Sequence, residues 1–133
     1  MNQVLQDTIA ARDLLASQGW IPNLLRDRDT GQHCAVGAIL DTVMADGVCG
    51  TGSLATGYNV FFDPRTSRLN AVLRELVQSI PGDRDRPLLG LPNDFDVWYT
   101  VVDYNNSMGE QVVMDMFNTT IARLTKIEAK ELV

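Results

Sequence analysis

Histidine occurs once in this chain, at His33, and cysteine twice, at Cys34 and Cys49. Two cysteines are too few to build a disulfide framework. One imidazole and two thiols are poor material for a zinc site. Asp27, Asp29 and Gly31 echo part of a calcium loop, but the closing Glu is missing and the spacing is wrong. No metal is therefore expected. No Walker pattern and no G-x-G-x-x-G is present, and no cofactor is expected. No apolar run approaches the roughly 20 residues of a membrane span. The first residues carry Gln6, Asp7, Arg12 and Asp13 where a signal peptide would have an apolar segment. The expected compartment is the cytoplasm, with both thiols reduced. The N-x-S/T matches at Asn105 and Asn118 carry no weight without secretion.

What is present is ordinary globular composition: 133 residues, 45% hydrophobic and 21% charged. Such a chain reads as a single globular domain over residues 1–133. It should bury roughly two-thirds of the surface its unfolded form exposes, enough for a core without staples. The net charge of -6 repels phosphate backbones and anionic membranes. Non-specific nucleic-acid binding and membrane association are therefore not expected.

Helical periodicity recurs along the chain. Over residues 2–18, Val4, Leu5, Thr8, Ile9, Leu15 and Ala16 form one stripe, and Gly19 supplies a stop. Residues 20–33 read as a loop or short hairpin, broken by Pro22 and turned by Asp29-Thr30-Gly31, with Trp20 and Ile21 as apolar anchors. Residues 34–46 form a short helix in which Val36, Ile39, Leu40, Val43 and Met44 match the helical pattern. Gly37 and Ala38 on its flank let a neighbour approach closely. Residues 47–62 hold four glycines and read as a long loop, with Asn59 to Phe62 as a brief strand or apolar plug. Residues 64–80 form a helix capped by Asp63 and Pro64 and striped by Leu69, Val72, Leu73, Leu76, Val77 and Ile80. A second loop covers 82–92. Over 93–104 a helix capped by Asn93 is preferred to a strand. A last helix covers 107–128, with Ser107-Met108-Gly109-Glu110 as a capping box. The expected architecture is mainly α: a compact bundle of four or five helices with two long loops, with room for a small accessory β hairpin.

Chemistry has few places to sit. Cys34 opens a helix, where free amides and the dipole favour a thiolate, and papain-like hydrolases place their nucleophile on such a helix. His33 is its sequence neighbour, and neighbours tend to point apart at a helix start. The rival reading makes Cys34 a small buried apolar residue. Gly47 to Gly57 could form a backbone nest for an anion, against the simpler reading of a mobile loop. Asp103-Tyr104-Asn105-Asn106, placed before the capping box, is the best polar constellation, although capping chemistry explains it as well. With Trp98 and Trp20 beside it, this run would line a pocket with an apolar wall and a few convergent polar groups.

Two of these stretches carry a resemblance. Gly19-Trp20, then a turn, then Cys34-Ala35-Val36-Gly37-Ala38-Ile39 is one. Asp103 to Asn106, followed by a helix beginning near Gly109-Glu110-Gln111-Val112-Val113, is the other. Together they resemble a family of small actinobacterial and actinophage proteins, domain of unknown function 6197. Its members run from an N-terminal helix through G-W to C-A-x-G-A, then W-N-D and an amphipathic C-terminal helix. Here Tyr104-Asn105-Asn106 stands where W-N-D is expected, so Asn106 replaces a carboxylate. The resemblance implies a bacterial or phage accessory protein and assigns no activity.

Three functions follow as expectations. The first is a non-enzymatic binding or interaction module for a host protein or a small metabolite. The second is a cysteine-dependent hydrolase or transferase using Cys34, with Asp103 or Asn105 as orienting groups. The third is a structural homo-oligomer paired through a helix stripe. Contact candidates are Trp20, His33, Cys34, Trp98, Asp103, Tyr104, Asn105 and Asn106.

Overall fold

A computed structural model describes residues 2–43, 52–53, 67–81 and 94–131. Helix α1 spans Gln3–Gln18. It starts where the Asn2 side chain accepts from the Leu5 amide at 2.8 Å, and ends at Gly19, whose φ of +96° suits glycine. Its buried side chains are Leu5, Asp7, Thr8, Ala11 and Leu15. Ala16, expected on the inner stripe, is exposed, and Asp7 takes an inner place. The charge is tolerated because Arg68 donates to both Asp7 oxygens, at 2.6 and 3.1 Å, and Gln3 donates a third bond at 2.9 Å. Bonding to Asp7 raises the Arg68 pKa.

The segment after Gly19 holds strand β1, Leu24–Arg26, paired antiparallel with β2, Gly52–Ser53. The register sets Leu24 opposite Ser53 and Arg26 opposite Gly52, with an irregularity between them. The accessory β element allowed for residues 20–33 is thus present, but its partner strand lies 26 residues further on, outside that stretch. His33 bridges both Trp20 and Arg26, closing the segment on itself.

Helix α2, Ala35–Val43, is the centre of the fold. Its residues Ala35 to Leu40 are all buried. It touches α1, β1 and the next two helices. Gly37 explains the closeness of β1: a Cβ there would lie 1.8 Å from the Leu25 carbonyl oxygen. Helix α3, Ser67–Val77, buries Leu69, Val72, Leu73, Leu76 and Val77, the expected stripe. Residues 78–80 continue as a turn, with Ile80 buried.

Helix α4 covers Asp94–Met108, so residues 94–104 adopt the helix preferred from sequence, and the helix runs four residues beyond them. Helix α5, Glu110–Glu131, follows after a single residue. The capping box is a correction. Ser107 and Met108 belong to the last turn of α4, and Gly109, at φ +93°, makes the corner. The Gly109 carbonyl accepts the first α5 bond from Val113 at 3.1 Å. A side-chain cap at Ser107 would need an extended backbone there, and Gly109 alone reverses the chain. Consequently Asp103 to Asn106 lie in the last turns of α4, rather than before the entrance of α5.

The described residues thus form five helices and one short strand pair: a mainly α fold around one continuous apolar cluster drawn from every helix and from Leu25 of β1. Each fully buried Leu, Ile or Val of this cluster stabilises the fold by about 1.5–3 kcal/mol. The caps expected at Asp63-Pro64 and Asn93, most of the loop over 47–62, the loop over 82–92, and Cys49 lie outside the described residues.

Candidate functional site

The end of α4 carries a side chain that two distant segments use. Asn105, 1% exposed, accepts at one oxygen from the Trp20 indole N–H at 2.8 Å and from the Ala35 amide at 3.0 Å. Its amide nitrogen donates to the Asn106 oxygen at 3.1 Å, which also accepts from the Asn23 backbone at 3.0 Å. Asn23 sits at φ +67°, a left-handed conformation that asparagine tolerates. The two amides therefore clip the Gly19–Cys34 segment and the start of α2 to the end of α4.

Ala35 begins α2, so its amide has no partner within the helix. Asn105 supplies one. Cys34 is the cap residue of the same helix: its carbonyl accepts from Ala38 at 2.9 Å, and its sulfur accepts from the Gly37 amide at 3.4 Å. The thiol is 1% exposed, and burial pushes its pKa from 9.0 up to about 11, against weaker lowering by nearby backbone amides. At neutral pH it is a protonated, enclosed thiol rather than a thiolate.

His33 belongs to a second cluster beside the first. Its Nε2 lies 2.5 Å from Asp41 Oδ2 on α2, and Arg26 of β1 reaches the same oxygen at 3.4 Å. The three charged or polar side chains fasten β1 to α2. The other ring nitrogen, Nδ1, is buried without a partner. Neither ring nitrogen bonds to the Cys34 sulfur. A His–Asp pair and a helix-capping thiol are thus adjacent in sequence but are not joined as base and nucleophile.

The structure unites four of the eight contact candidates: Trp20, Cys34, Asn105 and Asn106 meet at the start of α2. His33 faces Asp41. Trp98, 5% exposed, lies two turns before Asn105 on α4 and is part of the apolar core, as is Tyr104. Asp103 lies on the solvent side of α4. Trp20, Asn105 and Asn106 share a hydrogen-bonded junction at the start of α2. Sequence reasoning missed Asn23, Asp41 and the Asp7–Arg68 pair. Asp41 had a signal: it is the one carboxylate in the apolar helix that starts beside His33. Asp7 had none, because its partner is 61 residues away.

Among the described residues no group of three or more His, Cys, Asp or Glu could hold a metal ion, and no helix is long and apolar enough to cross a membrane.

The class defined so far is a mainly helical protein whose Trp–Cys–Asn motif forms an internal clip. The chain belongs to the Family of unknown function (DUF6197), whose model matches residues 1–123. No curated protein and no solved structure matches it. At position 106 the fold uses only an acceptor oxygen, which asparagine and aspartate both provide.

Proposed function

We propose that this protein is a non-enzymatic binding module for a host protein or a small metabolite. The observation that carries the reading is the enclosure of its motif chemistry. The Asn105 oxygen is occupied twice, the Cys34 thiol is buried with its pKa raised to about 11, and the His33 ring is turned to Asp41. Groups spent in this way hold a scaffold and leave recognition to the outer surface. The family resemblance supports an accessory role in an actinobacterium or an actinophage, acting in the bacterial cytoplasm. There Cys34 remains a free thiol.

The test is a screen of host lysate by pull-down and of metabolites by thermal shift. A binding module yields either a stable complex or a ligand whose stabilisation grows with concentration. Recovering neither across a broad screen overturns the reading. So does a Cys34 that alkylates faster than a free thiol at neutral pH, which would restore the cysteine-dependent hydrolase or transferase. A homo-oligomeric unit is the result if the screen is empty and the solution mass is a multiple of 14.7 kDa.

A further inference from the structure

The chain contains only two lysines, Lys126 and Lys130, set one helical turn apart on α5. Both line the same open cavity of about 500 Å³. Its other described walls are Thr119, Ala122, Arg123 and Ile127. The volume falls within the range of small-molecule sites, about 300–1,000 Å³. Arg123 is held in place by Glu75, whose side chain and backbone oxygens accept at 3.1 and 2.8 Å, and it retains further N–H donors. Lys126 and Lys130 have no ion pair or hydrogen bond among the described residues. Thr120 and Thr125 donate their hydroxyls back to the helix, at Met116 and Ile121, whereas Thr119 does not. Its hydrogen is free for another acceptor. Ile127, 42% exposed, is one of three large apolar side chains open to solvent among the described residues.

Three cations, a free hydroxyl and two apolar side chains share one open face of α5 in a chain whose net charge is -6. We propose that this cavity binds a small organic anion, a carboxylate or phosphate ester joined to an apolar body. Lys126, Lys130 and the Arg123 fork hold the charge, Thr119 donates to it, and Ile127 with Ala122 covers the body. The dipole of α5 is negative at its last turn, so the anionic group sits toward Arg123 and Lys126. The proposal rests on reading the chain as a binding module and gives that module a ligand class. Lys126, Ile127 and Lys130 lie beyond the residues that the family model matches.

The test exploits the lysine count. Reductive methylation with a carbon-13 label preserves the charge and marks Lys126, Lys130 and the chain's amino terminus. Titration with octanoate or phenyl phosphate is expected to shift both lysine signals saturably. Octanol is expected to leave them unmoved, and inorganic phosphate to bind at least about tenfold more weakly than phenyl phosphate for want of an apolar body. By calorimetry, Lys126→Gln/Lys130→Gln is expected to lose at least about tenfold in affinity, while Lys126→Arg/Lys130→Arg keeps it. Ile127→Ser weakens the organic anions and not inorganic phosphate. The proposal falls if no organic anion saturates the signals by about 10 mM, a concentration far above metabolite-site affinities. It also falls if the double Gln variant binds as the unaltered protein does, or if inorganic phosphate binds as tightly as phenyl phosphate. A ligand found by the lysate and metabolite screen that leaves both lysine signals in place would remove this site and keep the binding-module reading.

Discussion

At Gly37 one added carbon would meet the Leu25 carbonyl oxygen at 1.8 Å, and backbone cannot swing aside as a side chain can. Gly37→Ala is therefore expected to cost about 3 kcal/mol, the upper part of the overpacking range, read as a fall in the denaturant midpoint. Asn105 carries a different load. Its replacement by Ala strands the part-buried Trp20 indole N–H and the buried first amide of α2. About 3 kcal/mol of lost stability is expected, since each orphaned donor costs about 1–3 kcal/mol. Asn106→Asp is expected to stay within about 0.5 kcal/mol, because the position needs only an acceptor. The Cys34 thiol adds a pH dependence. Folding raises its pKa from 9.0 to about 11, so the folded state holds this proton more tightly than the unfolded one. The resulting stabilisation is complete below pH 9 and is lost as pH climbs from 9 toward 11. Relative to Cys34→Ala in a Cys49→Ala background, unfolding free energy is expected to drop by on the order of 2–3 kcal/mol across that window. Parallel pH curves for the two proteins would refute this.

Each helix boundary shows which signals are local. Gly19 ends α1 as read from the sequence, because a stop residue acts on its own neighbours, and Asn2, read there as the first helical residue, is its cap. The joint between α4 and α5 was misread for the same reason in reverse. Ser107 to Glu110 has the letters of a capping box, yet α4 continues through Ser107 and only Gly109 turns the chain. A Cβ at Gly109 meets nothing within 4 Å, so Gly109→Ala pays for its φ of +93° alone. About 1 kcal/mol is expected, well short of Gly37→Ala despite the identical change. A cost equal to that of Gly37→Ala would show a contact that the joint does not have here. Between α1 and α3 the bond is ionic. Arg68→Met leaves Asp7, 3% exposed, with only Gln3 as side-chain donor. About 2 kcal/mol is expected, tempered because the Arg68 side chain is 45% exposed. In a double-mutant cycle, Asp7→Asn should remove most of that penalty.

Across the molecule, stability should concentrate where burial does. Helix α2 is enclosed from Ala35 to Leu40 and is braced by α1, β1, α3 and α4. Its amides, Ala38 to Leu40 above all, are expected to exchange slowest with solvent, and the last turn of α5 fastest among the helices. Slow exchange in α5 with fast exchange in α2 would refute this picture of the core. The helices of the described residues, most of their inner stripes and the helical state of residues 94–104 were readable from the chain. Periodicity is a local consequence of backbone pitch, and the burial it announces needs only some apolar neighbour. The roles of Trp20, Cys34, Asn105 and Asn106 were not readable. Their residue types suit a ligand pocket and a polar clip equally well. The choice depends on partners 70 to 85 residues away. Asp7 with Arg68 was likewise invisible, because hydrogen bonding is directional and short-ranged. Hydrophobic spacing by itself determined which segments coil and which faces turn inward. Only the tertiary packing decided whose lone pairs meet whose protons.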